Sequence, residues 1–232
     1  MKKIIVTTSW DDGHKLDLKM AELLCRYGIK STFYVSPKNR EFNVTELLAD
    51  EEIKKLGRDF EIGAHTMTHP RLSAVSLSDA KKEIEGSKQY LEQLLGKPVA
   101  SFCYPGGDYK EAHKKIVREA DFKLARTVDR FTTILGKDCF AVPTTIHAYR
   151  HWSDALSILK QVGPERFLRC YLNWDELAIV LFEKVKKEGG IFHLWGHSWE
   201  IEKNGDWSRL EYVLDYISSC PEISYLTNGE LV

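Results

Sequence analysis

The chain has 232 residues, of which 43% are hydrophobic and 29% are charged, and 33 Lys and Arg residues nearly balance 34 Asp and Glu residues, for a net charge of −1. This composition is that of a globular protein and excludes an intrinsically disordered chain. The near-neutral charge argues against a nucleic acid or an anionic membrane as partner. We therefore expect one folded domain over residues 1–232 and a carbohydrate or small-molecule partner.

The start of the chain and its cysteines bear on the compartment. Lys2 and Lys3 precede an apolar run, Ile4–Val6, that is too short for a signal peptide. No apolar stretch is long enough to span a membrane. The five cysteines are scattered and include no CxxC pair, which predicts buried free thiols. These features lead us to expect a cytoplasmic protein.

Short β-branched or aromatic runs alternate with longer helical patterns, which is typical of parallel βα units and predicts an α/β fold. In chain order, the predicted strands are Ile4–Thr8, Thr32–Ser36, Glu61–Ala64, Ala100–Tyr104, Lys123–Val128, Thr144–Ala148, Gly190–Trp195 and Ile223–Leu226. The clearest helical periodicity runs from Leu77 to Leu95, after the capping-box pattern Ser76-x-x-Asp79. Further helices are predicted over Trp174–Val185 and after Asp206.

Polar residues follow several of these predicted strands at the point where each strand ends. Asp11 and Asp12 follow the first strand, His65 the third, the sequence Tyr104–Gly107 the fourth, and His197 the strand that begins at Gly190. In parallel α/β folds, functional sites gather at the carboxyl ends of the strands. The sequence therefore predicts that these residues meet on one rim.

The two histidines of HTMTH, His65 and His69, are spaced as metal ligands would be. A helical turn would place both imidazoles on one face, and Pro70 limits that helix to a single turn. Two imidazoles and a carboxylate from Asp11 or Asp12 would leave a position for water, as in a catalytic zinc site. Two surface histidines and an Asp12 that caps a helix beginning near Lys15 are the alternative interpretation.

Four motifs, TSWDDG, HTMTH, YPGG and HLWGHS, occur in this order from the first strand to the later part of the chain. Together they resemble those of the polysaccharide deacetylase family. The resemblance implies a distorted (β/α) barrel with about seven parallel strands that removes N-acetyl groups from amino sugars and releases acetate. It also implies one divalent metal, for which we expect zinc, although such ligands accept cobalt, nickel or iron as well.

The same resemblance implies a role for each motif residue. Asp11 would be the general base, and Asp12, His65 and His69 would hold the metal. The backbone N–H of Gly106 would donate to the oxyanion that forms when water attacks the acetyl carbonyl.

The family protonates the leaving amine with a histidine near the last strands, and two candidates are present. His193 and His197 share one face of their strand, but His193 lies about 13 Å below the rim. We therefore predict that His197 is the acid and that His193 is a hydrogen-bonded core residue. Asp129 or Asp175 is expected to orient His197.

One departure from the family pattern concerns the partner of the base. The third motif of the family usually carries an arginine that pairs with the catalytic aspartate, whereas this chain has Phe102, Cys103 and Tyr104 there. Arg126, on the predicted fifth strand, either approaches Asp11 or is a strand-end charge in solvent. The sequence leaves both interpretations open.

Aromatic residues flank the proposed chemistry and suit the apolar faces of sugar rings. Of Trp10, Trp195 and Trp199, we predict that Trp199 contacts substrate, and Tyr104 is the second predicted substrate contact. Two other functions remain as alternatives: hydrolysis of cyclic amides or imides of small metabolites, and carbohydrate binding without catalysis. The presence of Asp11 and His197 disfavours the second.

Overall fold

Eight parallel strands and nine α-helices alternate along residues 3–232, the part of the chain that the computed structural model describes. The strands are β1 (Ile4–Trp10), β2 (Ser31–Val35), β3 (Glu61–Ala64), β4 (Ser101–Cys103), β5 (Leu124–Arg126), β6 (Ile146–His147), β7 (Gly190–Gly196) and β8 (Ile223–Tyr225). The helices are α1 (Asp17–Arg26), α2 (Asp50–Asp59), α3 (Leu77–Leu95), α4 (Glu111–Glu119), α5 (Ala155–Val162), α6 (Pro164–Leu172), α7 (Trp174–Glu188), α8 (Ser198–Asn204) and α9 (Trp207–Ser218). This alternation confirms the predicted α/β class.

The order of the strands in the sheet is β5-β4-β3-β2-β1-β7-β6, and β1 pairs with three other strands. Strand β7 pairs with β1 along its whole length, from Ile4 to Trp10. On the other side of β1, β8 pairs with Ile4–Val6 and β2 pairs with Thr8–Trp10. The sheet thus has the seven-strand path that was expected, with β8 as a short addition beside the first half of β1.

The two ends of this path are joined by the irregular segment between β5 and β6, which completes the distorted barrel. The amide of Ala125 in β5 donates to the carbonyl of Cys139 at 2.8 Å, and the amide of Val142 donates back to Ala125 at 2.9 Å. Three residues later, the amide of Thr145 donates to the carbonyl of His193 in β7 at 3.0 Å. One segment therefore hydrogen-bonds first to β5 and then to β7.

The strand boundaries differ from the predicted ones where hydrogen bonding leaves the sheet. Strand β1 continues beyond the predicted Thr8 to Trp10, because β7 pairs with it as far as Trp10. Strand β6 is only two residues long, although Thr144–Ala148 was predicted, since the amide of Thr144 donates instead to the carbonyl of Asp129 at 2.7 Å.

The predicted helices are confirmed, most clearly α3. The Ser76 hydroxyl accepts a hydrogen bond from the amide of Asp79 at 3.1 Å, which is the predicted N-cap. Ala80, Ile84 and Leu91 on its inner face are fully buried. The five cysteines are unpaired, as predicted, but only Cys103 and Cys170 are buried, so the prediction that these thiols are buried was wrong for the other three. Among residues 3–232 there is no helix that combines the length and apolar character needed to cross a membrane.

A polar network fills the end of the barrel opposite the rim. The Asn228 side chain accepts a hydrogen bond from the Thr7 hydroxyl at 2.8 Å and donates one to the Tyr34 hydroxyl at 2.9 Å. The backbone N–H of Asn228 donates to the Thr32 hydroxyl at 2.9 Å. All four residues are fully buried. Because a buried polar group without a partner is costly, Asn228 allows polar side chains to occupy the barrel interior.

We expect Asn228→Ala to reduce the free energy of unfolding by about 2 kcal/mol, because it leaves the buried hydroxyls of Thr7 and Tyr34 without this partner. Urea denaturation followed by circular dichroism measures the change. Asn204→Ala, at an exposed position, is the control and should change stability by less than about 0.5 kcal/mol. Equal effects of the two substitutions would contradict the role given to this network.

Candidate active site

A cleft of about 310 Å³ opens at the carboxyl ends of the strands. The following predicted site residues line it: Asp11, Asp12, His65, His69, Gly106, His197 and Trp199. Asp11 and Asp12 follow β1, His65 follows β3, and His197 follows β7. The structure therefore brings together, on one rim, the motif residues that the sequence analysis placed there.

Three potential metal ligands converge on one side of the cleft. The Nε2 atoms of His65 and His69 are 3.2 Å apart, and Oδ1 of Asp12 lies 3.7 Å from the first and 3.3 Å from the second. The His65 and Asp12 side chains are only 2% and 3% exposed. Asp12, and not Asp11, is thus the carboxylate of this cluster.

The two histidines meet without the helical turn that was predicted for HTMTH, and that prediction was wrong. Residues 65–69 form no helix, and Thr66 and His69 have positive φ angles of 63° and 60°. The Thr66 hydroxyl accepts from the His69 amide at 3.1 Å and fixes this turn. Since helix α1 begins at Asp17 with no side-chain cap, Asp12 is not a helix cap either.

Each member of the cluster is oriented by a partner on its far side. Nδ1 of His65 lies 2.8 Å from the carbonyl of Cys103, and Nδ1 of His69 lies 3.0 Å from a carboxylate oxygen of Glu41. Protons on these Nδ1 atoms leave both Nε2 lone pairs directed at the cluster, which is the usual arrangement of metal-binding histidines. The Trp199 indole N–H donates to Oδ2 of Asp12 at 2.8 Å.

This cluster fits a divalent metal ion. Oδ1 of Asp12 is buried and has no hydrogen-bond partner among the described residues, so a cation would satisfy it. Two nitrogen ligands of a tetrahedral zinc ion lie about 3.3 Å apart, close to the separation of the two Nε2 atoms. Burial lowers the pKa of His65 to about 4, which keeps its imidazole neutral and able to bind metal.

Arg126 reaches Asp11 from β5, so the interpretation that it is a strand-end charge in solvent was wrong. Its guanidinium is fully buried, donates from Nη2 to Oδ2 of Asp11, and lies over the rings of Trp195 and Tyr34 at 4.7 and 5.3 Å. In the sheet, Arg126 on β5 pairs with Cys103 on β4. Cys103 is one of the three residues that stand where the family pattern predicted an arginine.

The ion pair determines the protonation of Asp11. Burial by itself would raise the pKa of Asp11, but the charge and hydrogen bond of Arg126, together with the charges of His65 and His197, outweigh burial and lower the pKa to about 2. Oδ1 of Asp11 is buried and has no hydrogen-bond partner among the described residues. Asp11 is therefore an ionised carboxylate with one oxygen free to accept a proton.

Glu200, rather than Asp129 or Asp175, is the carboxylate that contacts His197. Nδ1 of His197 hydrogen-bonds to Oε2 of Glu200, and Nε2 of His147 lies 3.2 Å from the same oxygen. The predictions of Asp129 and Asp175 were wrong: Asp129 accepts from Thr127 at 3.3 Å and Asp175 accepts from Arg209 at 2.9 Å.

The surroundings of His197 favour its charged form. Burial would lower the pKa of His197, but the nearby charge of Asp12 and the hydrogen bond to Glu200 outweigh burial and raise the pKa to about 9. Nε2 of His197 lies 3.9 Å from Oδ2 of Asp12. His197 thus presents a proton donor on the side of the cleft opposite His65 and His69.

Other residues lie away from their predicted positions. The Tyr104 side chain is fully buried and its hydroxyl donates to the carbonyl of Phe140 at 3.0 Å, so the structure does not bring it to the cleft. Trp10 is a core residue, whereas Trp195 lines the cleft and stacks on His147 with ring centroids 3.8 Å apart. His193 is buried, and its Nε2 lies 2.9 Å from the Ser9 hydroxyl, as expected of a core histidine.

Several cleft residues were missed by the sequence analysis. They are Glu41, Arg71, Arg130, His147, His151 and Glu200. Only Glu200 carried a local signal, since it follows His197 by three residues, the spacing of side chains that meet on one helical turn. His147 lies on the short strand β6, and the remaining four come from loops whose local sequence does not distinguish them from surface residues.

Comparisons with known proteins agree with this fold and identify the family. The polysaccharide deacetylase family model matches residues 1–125. The peptidoglycan-N-acetylglucosamine deacetylase of Bacillus cereus is 27% identical over 128 residues, which are 53% of this chain and 44% of that protein. An uncharacterized Bacillus subtilis protein, YlxY, is 25% identical over 120 residues, which are 51% of this chain and 35% of that protein. The chain thus spans less than half of the length of these curated relatives.

Among solved structures, a putative polysaccharide deacetylase from Mycobacterium smegmatis has a TM-score of 0.70 at 14% identity, and the match covers 99% of this chain and 89% of that chain. This likeness extends over nearly the whole barrel. The fold is therefore a parallel α/β barrel, and the candidate site lies at the carboxyl ends of its strands. The chain is a member of the polysaccharide deacetylase family.

We expect Arg126→Met to reduce the free energy of unfolding by about 3–5 kcal/mol, because it leaves the Asp11 carboxylate buried without a counter-charge. Chemical denaturation at neutral pH measures this loss. Arg169→Met is the control. It removes the ion pair between Glu176 and Arg169, whose side chain is 69% exposed, and should reduce the free energy of unfolding by less than about 1 kcal/mol. A loss at Arg126 no larger than that of the control would contradict the role of the buried pair.

We expect Glu41→Gln to weaken zinc binding by about tenfold, because the amide orients His69 less strongly than a carboxylate does. Competition with a chromophoric chelator measures the affinity. Glu51→Gln, at an exposed position on α2, is the matched control. Zinc affinities of both variants equal to that of the unmodified protein would contradict the orienting role given to Glu41.

Proposed function

We propose that the protein is a metal-dependent hydrolase that removes N-acetyl groups from amino sugars of the N-acetylglucosamine type and releases acetate. The observation that carries this proposal is that the ionised and partly unpaired carboxylate of Asp11 lines the same cleft as the Asp12–His65–His69 cluster and the His197 imidazole. A base, a metal-binding cluster and an acid in one cleft are the groups that amide hydrolysis requires.

Asp12, His65 and His69 would hold one divalent metal, most simply zinc. When bound, that ion polarises the acetyl carbonyl and lowers the pKa of water. The outer partners Cys103 and Glu41 keep Nε2 of each histidine directed at the ion.

The base half of the reaction belongs to Asp11. Its free Oδ1 removes a proton from water as the water oxygen bonds to the acetyl carbon. Arg126 holds the other oxygen, so the carboxylate is ionised and fixed in orientation before the reaction begins. Gly106 is exposed on the cleft, and its N–H would donate to the oxygen that becomes negative.

The acid half belongs to His197. As the carbon–nitrogen bond breaks, Nε2 of His197 donates its proton to the departing amine nitrogen, so that the products are acetate and the free amino sugar. Glu200 accepts from Nδ1, which fixes the ring so that Nε2 faces the cleft. Base and acid thus act from different strands, β1 and β7, which are hydrogen-bonded neighbours.

Acetate release from N-acetylglucosamine oligomers of one to six units tests this proposal. Zinc-loaded protein should release acetate, and removal of zinc with a chelator should abolish it reversibly. Asp11→Asn and His197→Gln should each lower kcat by about 10²–10⁴-fold, since each removes a proton-transfer group. His113→Gln, on α4 outside the cleft, is the matched control. Zinc binding without acetate release from any of these oligomers would contradict the proposal.

A further inference from the structure

The guanidinium of Arg71 lies over the backbone of Gly106 at the edge of the cleft. A Cβ atom added to Gly106 would be 3.1 Å from Nη1 and 3.3 Å from Cζ of Arg71. Gly106 has a φ of 58°, and both residues line the cleft. The absence of a side chain at residue 106 therefore permits a cation to lie beside the amide that we assign to the oxyanion.

The loops that carry these two residues are fastened to each other. Both the amide and the hydroxyl of Ser73 donate to the same carboxylate oxygen of Asp108, at 2.7 and 2.6 Å. Ser73 is two residues from Arg71, and Asp108 is two residues from Gly106. This contact places the start of the Arg71 side chain at a fixed position relative to Gly106, so the guanidinium is held near the cleft.

Arg71 is the arginine of the cleft that has no protein counter-charge in contact. Arg126 is paired with Asp11, and Arg130 makes two hydrogen bonds to Asp154, at 2.9 and 2.8 Å. Within residues 3–232, in contrast, no carboxylate oxygen lies within the 4.0 Å of an ion pair from Arg71.

The carboxylate of Asp108, whose charge interacts with that of Arg71, already accepts two hydrogen bonds from Ser73. Hydrogen bonds from Ser73, with a smaller contribution from the charge of Arg71, outweigh burial and lower the pKa of Asp108. Asp12 and Glu41, the other carboxylates on this side of the cleft, face His69. A substrate therefore meets, beside Gly106, a guanidinium that forms no ion pair with a carboxylate of residues 3–232.

We propose that Arg71 recognises an anionic substituent, a carboxylate or a phosphate, on the acetylated sugar ring or on a ring joined to it. The inference rests on the proposed function and specifies its substrate class. The planar fork of a guanidinium matches two oxygens of either anion, whereas a neutral sugar leaves this charge facing water. Because Arg71 adjoins the amide assigned to the acetyl oxygen, the anion lies near the acetamido group.

Three sugars serve as probes: N-acetylglucosamine, its 6-phosphate and its 3-O-carboxyethyl ether. Zinc-loaded protein should have a KM for at least one anionic sugar about tenfold lower than for the neutral one. Arg71→Met should abolish that preference by raising KM for the anionic sugar, and should leave kcat/KM for the neutral sugar within about twofold. Arg71→Lys, which keeps the charge but loses the fork, should recover part of the preference.

Arg40→Met, at an exposed arginine outside the cleft lining, is the matched control, and zinc affinity and thermal unfolding of each variant report intact folding. An equal fall of kcat for neutral and anionic sugars in Arg71→Met would assign Arg71 to the chemical step and overturn the proposal. The proposal would also be overturned if the unmodified protein had the same KM for the neutral sugar and for both anionic sugars. The 6-phosphate and the ether distinguish the two anions.

Direct binding separates this inference from the proposed function. Calorimetric Kd values for the same sugars, measured with zinc-loaded Asp11→Asn protein with and without Arg71→Met, do not depend on turnover. An anion preference that vanishes with Arg71→Met supports the inference even if no sugar is deacetylated. Equal Kd values for the three sugars contradict it even if acetate is released.

Discussion

The buried ion pair between Asp11 and Arg126 is the contact on which the cleft depends. Strands β1 and β5 are separated in the sheet by β2, β3 and β4, so the two side chains meet only because the sheet curls across the barrel. Removing a carboxylate and a guanidinium from water is costly, and their mutual attraction and the rings of Trp195 and Tyr34 offset that cost. The ionised state of Asp11 is thus a consequence of barrel closure.

The two adjacent aspartates at the end of β1 lie where both sides of the cleft meet. On one side of β1, β2 and β3 lead to His65, and on the other side β7 leads to His197. Asp12 has a positive φ of 85°, a turn of the backbone that directs its carboxylate to the histidine cluster, whereas Asp11 faces Arg126. One strand end therefore supplies a carboxylate to each of two different partners.

Features that depend on neighbouring residues could be predicted from the sequence, and features that depend on distant parts of the chain could not. Strand ends, the α3 cap and the motif residues depend on neighbouring residues, and the structure brings those motif residues to one rim. The HTMTH turn was predicted wrongly because spacing alone cannot reveal a positive φ at Thr66 or His69. Glu41, in a loop, and His147, on the short strand β6, contact the site from distant parts of the chain. The burial of Arg126 depends on closure of the barrel, which no single strand encodes.

The register of β4 and β5 explains how the chain departs from the family pattern without losing the counter-charge of Asp11. Cys103 and Arg126 are paired residues on neighbouring strands, so an arginine on either strand can direct its guanidinium into the barrel beside Asp11. Two guanidinium groups there would leave one buried cation unpaired, which is costly. The Cys103 thiol, 3.8 Å from Asp11, occupies that space without charge. What the fold requires is one positive charge at this place in the barrel, and the strand that supplies it is free to change.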